Sequence, residues 1–232
     1  GYNLSGIEHG VSNFVASGAI PDGRAVILNS DGTVSIPTKT VTEPISFGST
    51  SIFNSSDTSN ISAVYDPDNK KVIVVYDGTV IVGTVSGNSI SFGTPDTTSI
   101  GNYPSIAYDS NSNRVVVAYR DYSSPYYGKA VVGEVDGTTI NFGTPVTFNE
   151  DSTGRTALTF DSRNNKIVIA YTTTSNNYGR AIVGTVDTSN NTDTITFGSA
   201  VIPDFGGYIS RISATFDPGN SVVVVLYTYN NG

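Results

Sequence analysis

One thirteen-residue pattern occurs four times in the chain, and it constrains the fold more than any other feature. It reads AYDSNSNRVVVAY at residues 107–119, and close variants begin at residues 64, 159 and 215. Each copy joins an aromatic-Asp pair to a Val- and Ile-rich run that ends in tyrosine, through a stretch of Asp, Asn, Ser and Pro. Apolar β-branched runs on either side of such turn residues are typical of β-hairpins. The sequence therefore predicts one hairpin repeated four times.

Two further markers follow the hairpin within each repeat. A GTV or GEV triplet begins at Gly83, Gly133 and Gly184, and an ISFG-like motif places phenylalanine at positions 47, 92, 142 and 197. A repeat thus holds four short apolar runs within about 45 to 55 residues, which is the length of a four-stranded propeller blade. The pattern predicts an all-β fold, a β-propeller-like array of four-stranded antiparallel blades. A stacked β-solenoid is the alternative.

The first part of the chain has a different pattern. Residues 1–42 lack the aromatic-Asp marker, and PDG and SDG turns flank short apolar runs there, which predicts a small N-terminal β-meander that serves in assembly. The propeller-like repeat domain is then expected to span residues 43–232, with repeats at about 43–94, 95–144, 145–199 and, incomplete, 200–232.

Composition excludes several classes of function. A formal charge of −8 and scattered Lys and Arg residues predict no nucleic-acid partner. The chain has no cysteine, and no apolar run is long enough to span a bilayer, so we expect no thiol chemistry and no membrane insertion. The absence of methionine predicts a processed product or a segment of a longer polypeptide.

Residues that carry out catalysis are scarce. His9 is the only histidine, so neither a Ser-His-Asp triad nor a histidine metal site is expected. The sialidase Asp-box and tryptophan are also absent, which leaves a degenerate glycan-cleaving enzyme as the third hypothesis. In the hairpin turns we expect the carboxylates to accept backbone N–H bonds, with calcium binding as the alternative. The sequence predicts no enzyme activity, no cofactor and no metal.

Binding is the function that the repeats favour, at two places. Positions five residues before each aromatic-Asp pair vary while the framework repeats, and would lie around one mouth of the central channel: Asn60, Tyr103, Arg155 and Arg211. An unconstrained surface explains that variation equally well. The loop between the second and third strands carries tyrosines suited to a glycan or protein partner: Tyr122, Tyr126, Tyr127 and Tyr178.

The chain resembles repeat-containing virion and tail-fibre proteins of marine bacteriophages. The resemblance rests on FVASG…DGTV between Phe14 and Val34, followed by the YD…KVVVAY…VGTV…ISFGTP repeats. It implies a virion or appendage context, so we expect a virion, extracellular or cell-surface location. Together with the scarcity of catalytic residues, this predicts a non-catalytic structural or adhesive role. The last repeat ends after its second strand, which predicts assembly through β-strand pairing. Expected partners are other copies, other virion or appendage subunits, and a host-surface glycan. A lectin-like, carbohydrate-binding propeller is the alternative.

Overall fold

A computed structural model of the chain describes residues 2–3, 13–16, 27–28, 30, 33–35, 48–97, 100–175, 178–189, 192–201 and 208–230. The chain divides into two compact units, residues 1–47 and residues 48–232. The domain boundary predicted between residues 42 and 43 lies outside the described residues.

The described residues of the first unit form four short strands: β1 (Tyr2–Asn3), β2 (Asn13–Ala16), β3 (Ile27–Leu28) and β4 (Thr33–Ser35). Strands β3 and β4 pair antiparallel. The predicted PDG turn and most of the predicted SDG turn lie outside the described residues. The order of strands is β1-β2-β4-β3, and β2 and β4 run parallel. The unit is therefore a small mixed sheet, whereas a simple meander has antiparallel neighbours only.

The second unit is a series of antiparallel sheets, which we call blades. Blade 1 consists of β5 (Ser62–Asp66), β6 (Lys71–Tyr76), β7 (Thr79–Ser86) and β8 (Ser89–Phe92). Blade 2 consists of β9 (Asn102–Asp109), β10 (Arg114–Arg120), β11 (Gly128–Asp136) and β12 (Thr139–Phe142), and β13 (Val146–Asn149) also pairs with β11. Blade 3 consists of β14 (Thr153–Asp161), β15 (Lys166–Thr173), β16 (Gly179–Asp187) and β17 (Thr194–Phe197). The described part of blade 4 is the hairpin of β18 (Tyr208–Asp217) and β19 (Val222–Asn230).

The blades stack in sequence order through their first strands, because β9 packs on β5, β14 on β9 and β18 on β14. The predicted all-β, propeller-like array is confirmed. Each fully stacked blade has a leading face toward the preceding blade and a trailing face toward the next. The leading face of blade 2 includes Ile106 and Val117 and packs on blade 1. Its trailing face includes Val116 and Ala118 and packs on blade 3.

The repeated aromatic-Asp hairpin is the turn between the first two strands of every blade. In blade 3, Asp161 Oδ1 accepts hydrogen bonds from the backbone N–H groups of Arg163 and Asn164, and Oδ2 accepts one from the Asn164 side chain at 2.8 Å. Asp66, Asp109 and Asp217 bind their own turns through Oδ1 in the same way. The carboxylates thus act as turn acceptors.

The last residue of each of these turns has a positive φ. We expected asparagine or glycine there, and Asn113 and Asn165 meet that expectation in blades 2 and 3. In blades 1 and 4 the same conformation falls on Lys70 and Ser221. The turn geometry is therefore kept even where the residue is not the one that best tolerates left-handed backbone.

The glycine of the GTV or GEV triplet and the phenylalanine of the ISFG motif pack against each other. Gly83, Gly133 and Gly184 each lie directly opposite the phenylalanine of the ISFG motif on the neighbouring strand. A Cβ on Gly133 would lie 2.7 Å from Cδ1 of Phe142. The glycine is therefore required because the aromatic ring covers its strand at that point.

The glycine after the ISFG phenylalanine of blades 1 and 2 contacts the next blade. A Cβ on Gly93 would lie 2.7 Å from the Thr138 carbonyl oxygen, and one on Gly143 would meet the Asp193 carbonyl oxygen. Thr138 and Asp193 belong to the loop before the fourth strand of the following blade. Gly198 differs, because the nearest heavy atom to its Cβ position would be 3.9 Å away. The described part of blade 4 has no such loop to place there.

The hydrogen bonds of the Asp161 turn predict how the stability of the protein depends on pH. The hydrogen bond from Asn164 lowers the pKa of Asp161 below its ordinary value of 3.8. A lowered pKa in the folded state contributes stability that is present above the unfolded-state value and is lost as pH falls through the folded-state value. Asp161→Ala should therefore cost about 1 kcal/mol or more at pH 7 through lost turn bonds, and the difference from the wild type should shrink below about pH 4.

Urea unfolding at pH 7 and pH 3 measures this difference, with Asp136→Ala at an exposed turn position as the matched control. A chelator should leave the melting temperature unchanged. A gap between wild type and Asp161→Ala that stays constant with pH would contradict the role of the ionised carboxylate.

Candidate functional site

A β-bulge interrupts the pairing of the first and second strands at the same point in three blades. The extra residue lies at Tyr103–Pro104 in blade 2, at Gly154–Arg155 in blade 3, and between Ile209 and Arg211 in blade 4. In blade 1 the equivalent Asn60 precedes β5 and has a positive φ, as does Tyr103. Bulges of this kind redirect a side chain away from the regular alternation of a strand. The irregular residues lie at or next to the four positions that vary between repeats, and we call this edge of the blades the rim.

The residue that follows the closing tyrosine of each second strand contacts the rim. Asp77 accepts hydrogen bonds from the backbone N–H and the hydroxyl of Ser59, at 2.7 and 2.9 Å. Thr172 Oγ1 accepts one from the backbone N–H of Arg155 at 2.9 Å. Thr228 shares a hydroxyl bond of 2.7 Å with Ser210. In three blades, therefore, a side chain on the second strand fixes the backbone at or beside the irregular residue.

In blade 2 this position is Arg120, and it builds a cation-aromatic cluster instead. The guanidinium carbon of Arg120 lies 5.0 Å from the ring centroid of Tyr103 and 5.1 Å from that of Tyr126. Arg155 of blade 3 lies 4.9 Å from the same Tyr103 ring. Tyr103 is thus contacted by two guanidinium groups from two blades, each at a distance typical of a cation–π interaction.

A cavity of about 400 Å³ adjoins this cluster at the rim end of blade 4, next to Arg155 of blade 3. Its described lining consists of Arg155, Arg211, Ile212, Ser213, Leu226, Tyr227 and Thr228. The lining combines two guanidinium groups with three hydroxyl groups and two apolar side chains. A small ligand with both an anionic group and hydroxyl groups would match that composition.

Buried hydroxyl groups hold the rim in place from below. Thr156 Oγ1 lies 2.9 Å from Ser105 Oγ, 2.8 Å from the carbonyl oxygen of Tyr103 and 3.2 Å from that of Ala118. Thr156 and Ser105 are both buried. Because these bonds join blades 2 and 3 directly beneath Tyr103, the position of the cluster is determined by the packing of the two blades.

The guanidinium groups of the cluster, Arg120 and Arg155, and that of Arg211 pair with no carboxylate of the described residues. The Nε of Arg120 is buried and has no hydrogen-bond partner among the described residues. Asp121, next to Arg120, pairs instead with Lys129 at 2.5 Å, and that bond lowers the pKa of Asp121. A cationic group thus lies at the rim of a chain whose formal net charge is −8.

The tyrosine-bearing loop of blade 2 folds onto itself and onto blade 3. The backbone N–H of Asp121 donates to the Tyr127 carbonyl at 2.8 Å, and the Tyr126 carbonyl accepts from the backbone N–H of Thr153 at 2.9 Å. The Tyr122 hydroxyl reaches Gly78 at the turn of blade 1. Tyr126 is therefore the loop tyrosine that joins the cluster, whereas Tyr122 bridges two blades.

The structure places the predicted site residues on one edge but unites only some of them. Tyr103 and Arg155 contact each other, Arg211 shares the cavity with Arg155, and Tyr126 belongs through Arg120 to the same cluster. No described contact joins Asn60, Tyr122 or Tyr127 to the cluster. Tyr178 lies in the equivalent loop of blade 3, where its backbone carbonyl accepts a hydrogen bond from the N–H of Thr173 at 3.0 Å.

Sequence reasoning missed Arg120. The signal that could have found it is the position after the closing tyrosine, which varies between repeats in the same way as the rim positions: Asp77, Arg120, Thr172 and Thr228.

No group of three or more His, Cys, Asp or Glu side chains within the described ranges is placed to hold a metal ion. No helix in those ranges combines the length and the apolar character needed to cross a membrane.

The fold belongs to the propeller-like all-β class, and comparison with solved structures gives a neighbour in that class. The chain is similar to the crystal structure of a candidate 6-phosphogluconolactonase from Bacteroides uniformis, with a TM-score of 0.56 and 12% sequence identity. The match covers 86% of this chain and 56% of that one, so this chain spans little more than half the length of its neighbour. No family model and no curated protein matches the sequence.

This comparison overturns the expected function. We predicted a non-catalytic structural or adhesive component of a virion or appendage, and that prediction is wrong, because the protein that shares the fold is a candidate enzyme. The lectin-like and glycan-cleaving alternatives gain no support from it either. The resemblance to phage proteins, the extracellular or virion location, the host-glycan partner and the absence of nucleic-acid and membrane partners stay predictions.

Proposed function

We propose that the repeat region is the substrate-binding part of an enzyme-like β-propeller, and that its substrate is a small anionic, sugar-like molecule. The observation that carries the proposal is the rim cluster, where Arg155 and Arg211 line one cavity and no described carboxylate pairs with either. Guanidinium groups bind phosphate and carboxylate through paired, charge-assisted hydrogen bonds. An anionic group on the ligand would supply the missing partner.

The rest of the cavity supports a ligand that also carries hydroxyl groups and an apolar face. Ser213 offers a hydroxyl group, the Thr228 hydroxyl is shared with Ser210 at 2.7 Å, and Ile212 and Leu226 offer apolar contact. The structural neighbour is named as a candidate enzyme for 6-phosphogluconolactone, a phosphorylated sugar lactone. Such a molecule carries both an anionic group and hydroxyl groups. The fold and the chemistry of the lining therefore favour the same class of substrate.

In this proposal the rim cluster binds and orients the substrate. The cluster does not by itself account for a chemical reaction. Hydrolysis of a lactone needs a group that activates water. The described lining of the cavity contains no carboxylate and no histidine. The proposal therefore assigns substrate binding to Arg155 and Arg211 and leaves proton transfer to residues beyond this lining.

Calorimetric titration with 6-phosphogluconate, gluconate and glucose tests the proposed binding. We expect 6-phosphogluconate to bind most tightly and glucose not to bind, and we expect Arg155→Ala and Arg211→Ala each to weaken binding about ten-fold or more. Arg163→Ala is the matched control, because Arg163 lies in the hairpin turn at the other end of blade 3 and donates to Ser221.

Binding of 6-phosphogluconate that survives both rim substitutions, or equal binding of glucose, would refute the anion site. Hydrolysis of 6-phosphogluconolactone, followed by base uptake at constant pH, tests the enzymatic part separately.

A further inference from the structure

Four planar side chains of the rim lie in series and alternate between aromatic and cationic groups. The guanidinium carbon of Arg120 lies 5.1 Å from the ring centroid of Tyr126 and 5.0 Å from that of Tyr103. The guanidinium carbon of Arg155 lies 4.9 Å from the same Tyr103 ring. We call this series the rim stack. It begins at the exposed Tyr126 and ends at Arg155, which lines the cavity, so the rim stack leads directly into the candidate ligand site.

Two tyrosines of the rim stack have a backbone conformation that bulky residues avoid. The φ angle is 52° at Tyr103 and 65° at Tyr126, and both values lie in the left-handed region, where a bulky side chain is an outlier. Asn60, at the position of Tyr103 in blade 1, has a φ of 53°, and asparagine tolerates this conformation better. Strained backbone that persists is concentrated at ligand-binding and catalytic sites. The ring of Tyr103 is therefore kept despite a strain that asparagine would relieve.

Hydrogen bonds fix the backbone on both sides of the Tyr103–Arg155 contact. The carbonyl oxygen of Tyr103 accepts a hydrogen bond of 2.8 Å from Thr156 Oγ1, and the backbone N–H of Arg155 donates one of 2.9 Å to Thr172 Oγ1. Both threonines are buried. The carbonyl oxygen of Tyr126 also accepts a backbone hydrogen bond from blade 3. The two rings and the Arg155 guanidinium are thus attached to backbone that is held in place without a ligand.

Arg155 and Arg211 differ in how their side chains are held. Arg155 is half-buried and has the Tyr103 ring on one face of its guanidinium. Arg211 is exposed, and no aromatic ring of the described residues lies against its guanidinium. A side chain that is already held in one orientation loses less conformational entropy on binding a ligand than a free side chain does. Arg155 is therefore prepared for a ligand in a way that Arg211 is not.

We propose that Tyr103 and Arg120 are positioning residues of the ligand site, which hold the Arg155 guanidinium in the orientation that binds the anionic group of the ligand. Neither residue belongs to the described lining of the cavity, so each acts through Arg155 and not by touching the ligand. Tyr103 supplies the ring on which Arg155 lies, and Arg120 holds that ring from its other side. The identity of the ligand rests on the proposed function, whereas the orientation of Arg155 can be measured without a ligand.

Nuclear magnetic resonance of the ligand-free protein tests the orientation of Arg155. Its side-chain Nε–H signal, assigned by its loss in Arg155→Ala, should be displaced by the ring current of Tyr103. Tyr103→Asn introduces the residue that blade 1 carries in the same backbone conformation, so we expect the fold to be kept and the displacement to disappear. Tyr103→Phe keeps the ring and should keep the displacement. An Arg155 signal that is the same in Tyr103→Asn and the wild type would overturn the proposal.

Arg120→Thr tests the other positioning residue and does not depend on the folding of Tyr103→Asn. It introduces the residue that blade 3 carries at the equivalent Thr172. Loss of the Arg120 guanidinium frees one side of the Tyr103 ring, so NMR relaxation should show a more mobile Arg155 side chain while the β-sheet spectrum stays unchanged. An Arg155 side chain that remains as rigid as in the wild type would contradict the role of Arg120.

Calorimetric titration with 6-phosphogluconate tests the consequence for binding. Tyr103→Asn and Arg120→Thr should each weaken binding about three- to ten-fold, and Tyr103→Phe should stay within about two-fold of the wild type. Tyr65→Asn is the matched control, because it removes an exposed tyrosine at the hairpin-turn end of blade 1, away from the rim. Unchanged binding in Tyr103→Asn would refute a positioning role. A wild type that does not bind would instead count against the proposed function, since the Arg155 signal still decides whether the rim stack orients Arg155.

Discussion

Replacing Tyr171 by alanine is expected to lower the free energy of unfolding by about 3–5 kcal/mol, the range found for buried aromatic side chains. Tyr171 closes the second strand of blade 3 and is 1% exposed. It packs edge-on against Phe148 with ring centroids 5.1 Å apart, and Phe148 in turn packs against Phe197 at 5.9 Å. Since β13 brings Phe148 to blade 3 from the sheet of blade 2, the substitution removes packing within a blade and between two blades.

Tyr227→Ala is the matched control, because Tyr227 occupies the same place in the last repeat but is 40% exposed. It should cost less than half as much. Urea unfolding of the two variants and the wild type, followed by circular dichroism, gives the comparison. Equal losses at the two positions would show that the interblade aromatic packing is not the source of the stability.

The second large effect is expected at Gly143, where alanine should cost about 1–3 kcal/mol. A methyl group there would collide with the Asp193 carbonyl oxygen, which belongs to the backbone of blade 3 and cannot rotate away as a side chain can. The two blades would have to separate or the loop would have to move. Neither response is local, because the Arg114 side chain binds Asp193 at 2.9 Å across the same junction.

Gly198→Ala provides the control for this effect in the same local sequence. Gly198 also follows the phenylalanine of an ISFG-like motif, yet its Cβ would have no atom closer than 3.9 Å. The change should stay within about 0.5 kcal/mol, as for an open surface position. If both alanines destabilise the protein equally, the cost lies in the backbone of the motif and not in contact between blades.

Local sequence patterns predicted the strands of the blades, because each one depends on neighbouring residues. A run such as RVVVAY is confined to a strand by its β-branched residues, and the Asp109 turn ends it. The order in which the blades stack could be predicted for the same reason, because consecutive repeats form neighbouring blades. The parallel pairing of β2 and β4 could not be predicted, since it depends on a contact between segments that are separate in the sequence.

The candidate site was only half predictable. Comparison between repeats located Tyr103 and Arg155 correctly on one edge, because a bulge recurs there in register with the framework. It did not show that Arg120 stacks on Tyr103, since that contact depends on which way a side chain turns at the end of a strand. The expected functional class was wrong for a different reason. We inferred a non-catalytic protein from the scarcity of histidine and of paired acidic residues. That scarcity does not bear on a site built from arginine, tyrosine and hydroxyl groups.

The stacking of blades in series has a consequence for motion. Each blade is stabilised by its immediate neighbours, as in other repeat arrays, so local opening should start at blades 1 and 4, each of which packs on one described blade. Amide protons of β10 and β15, which lie in blades packed on both sides, should exchange slowest with solvent. Those of β5 and β19 should exchange faster. Equal protection of the end blades and the middle blades would show that the end blades are covered in solution.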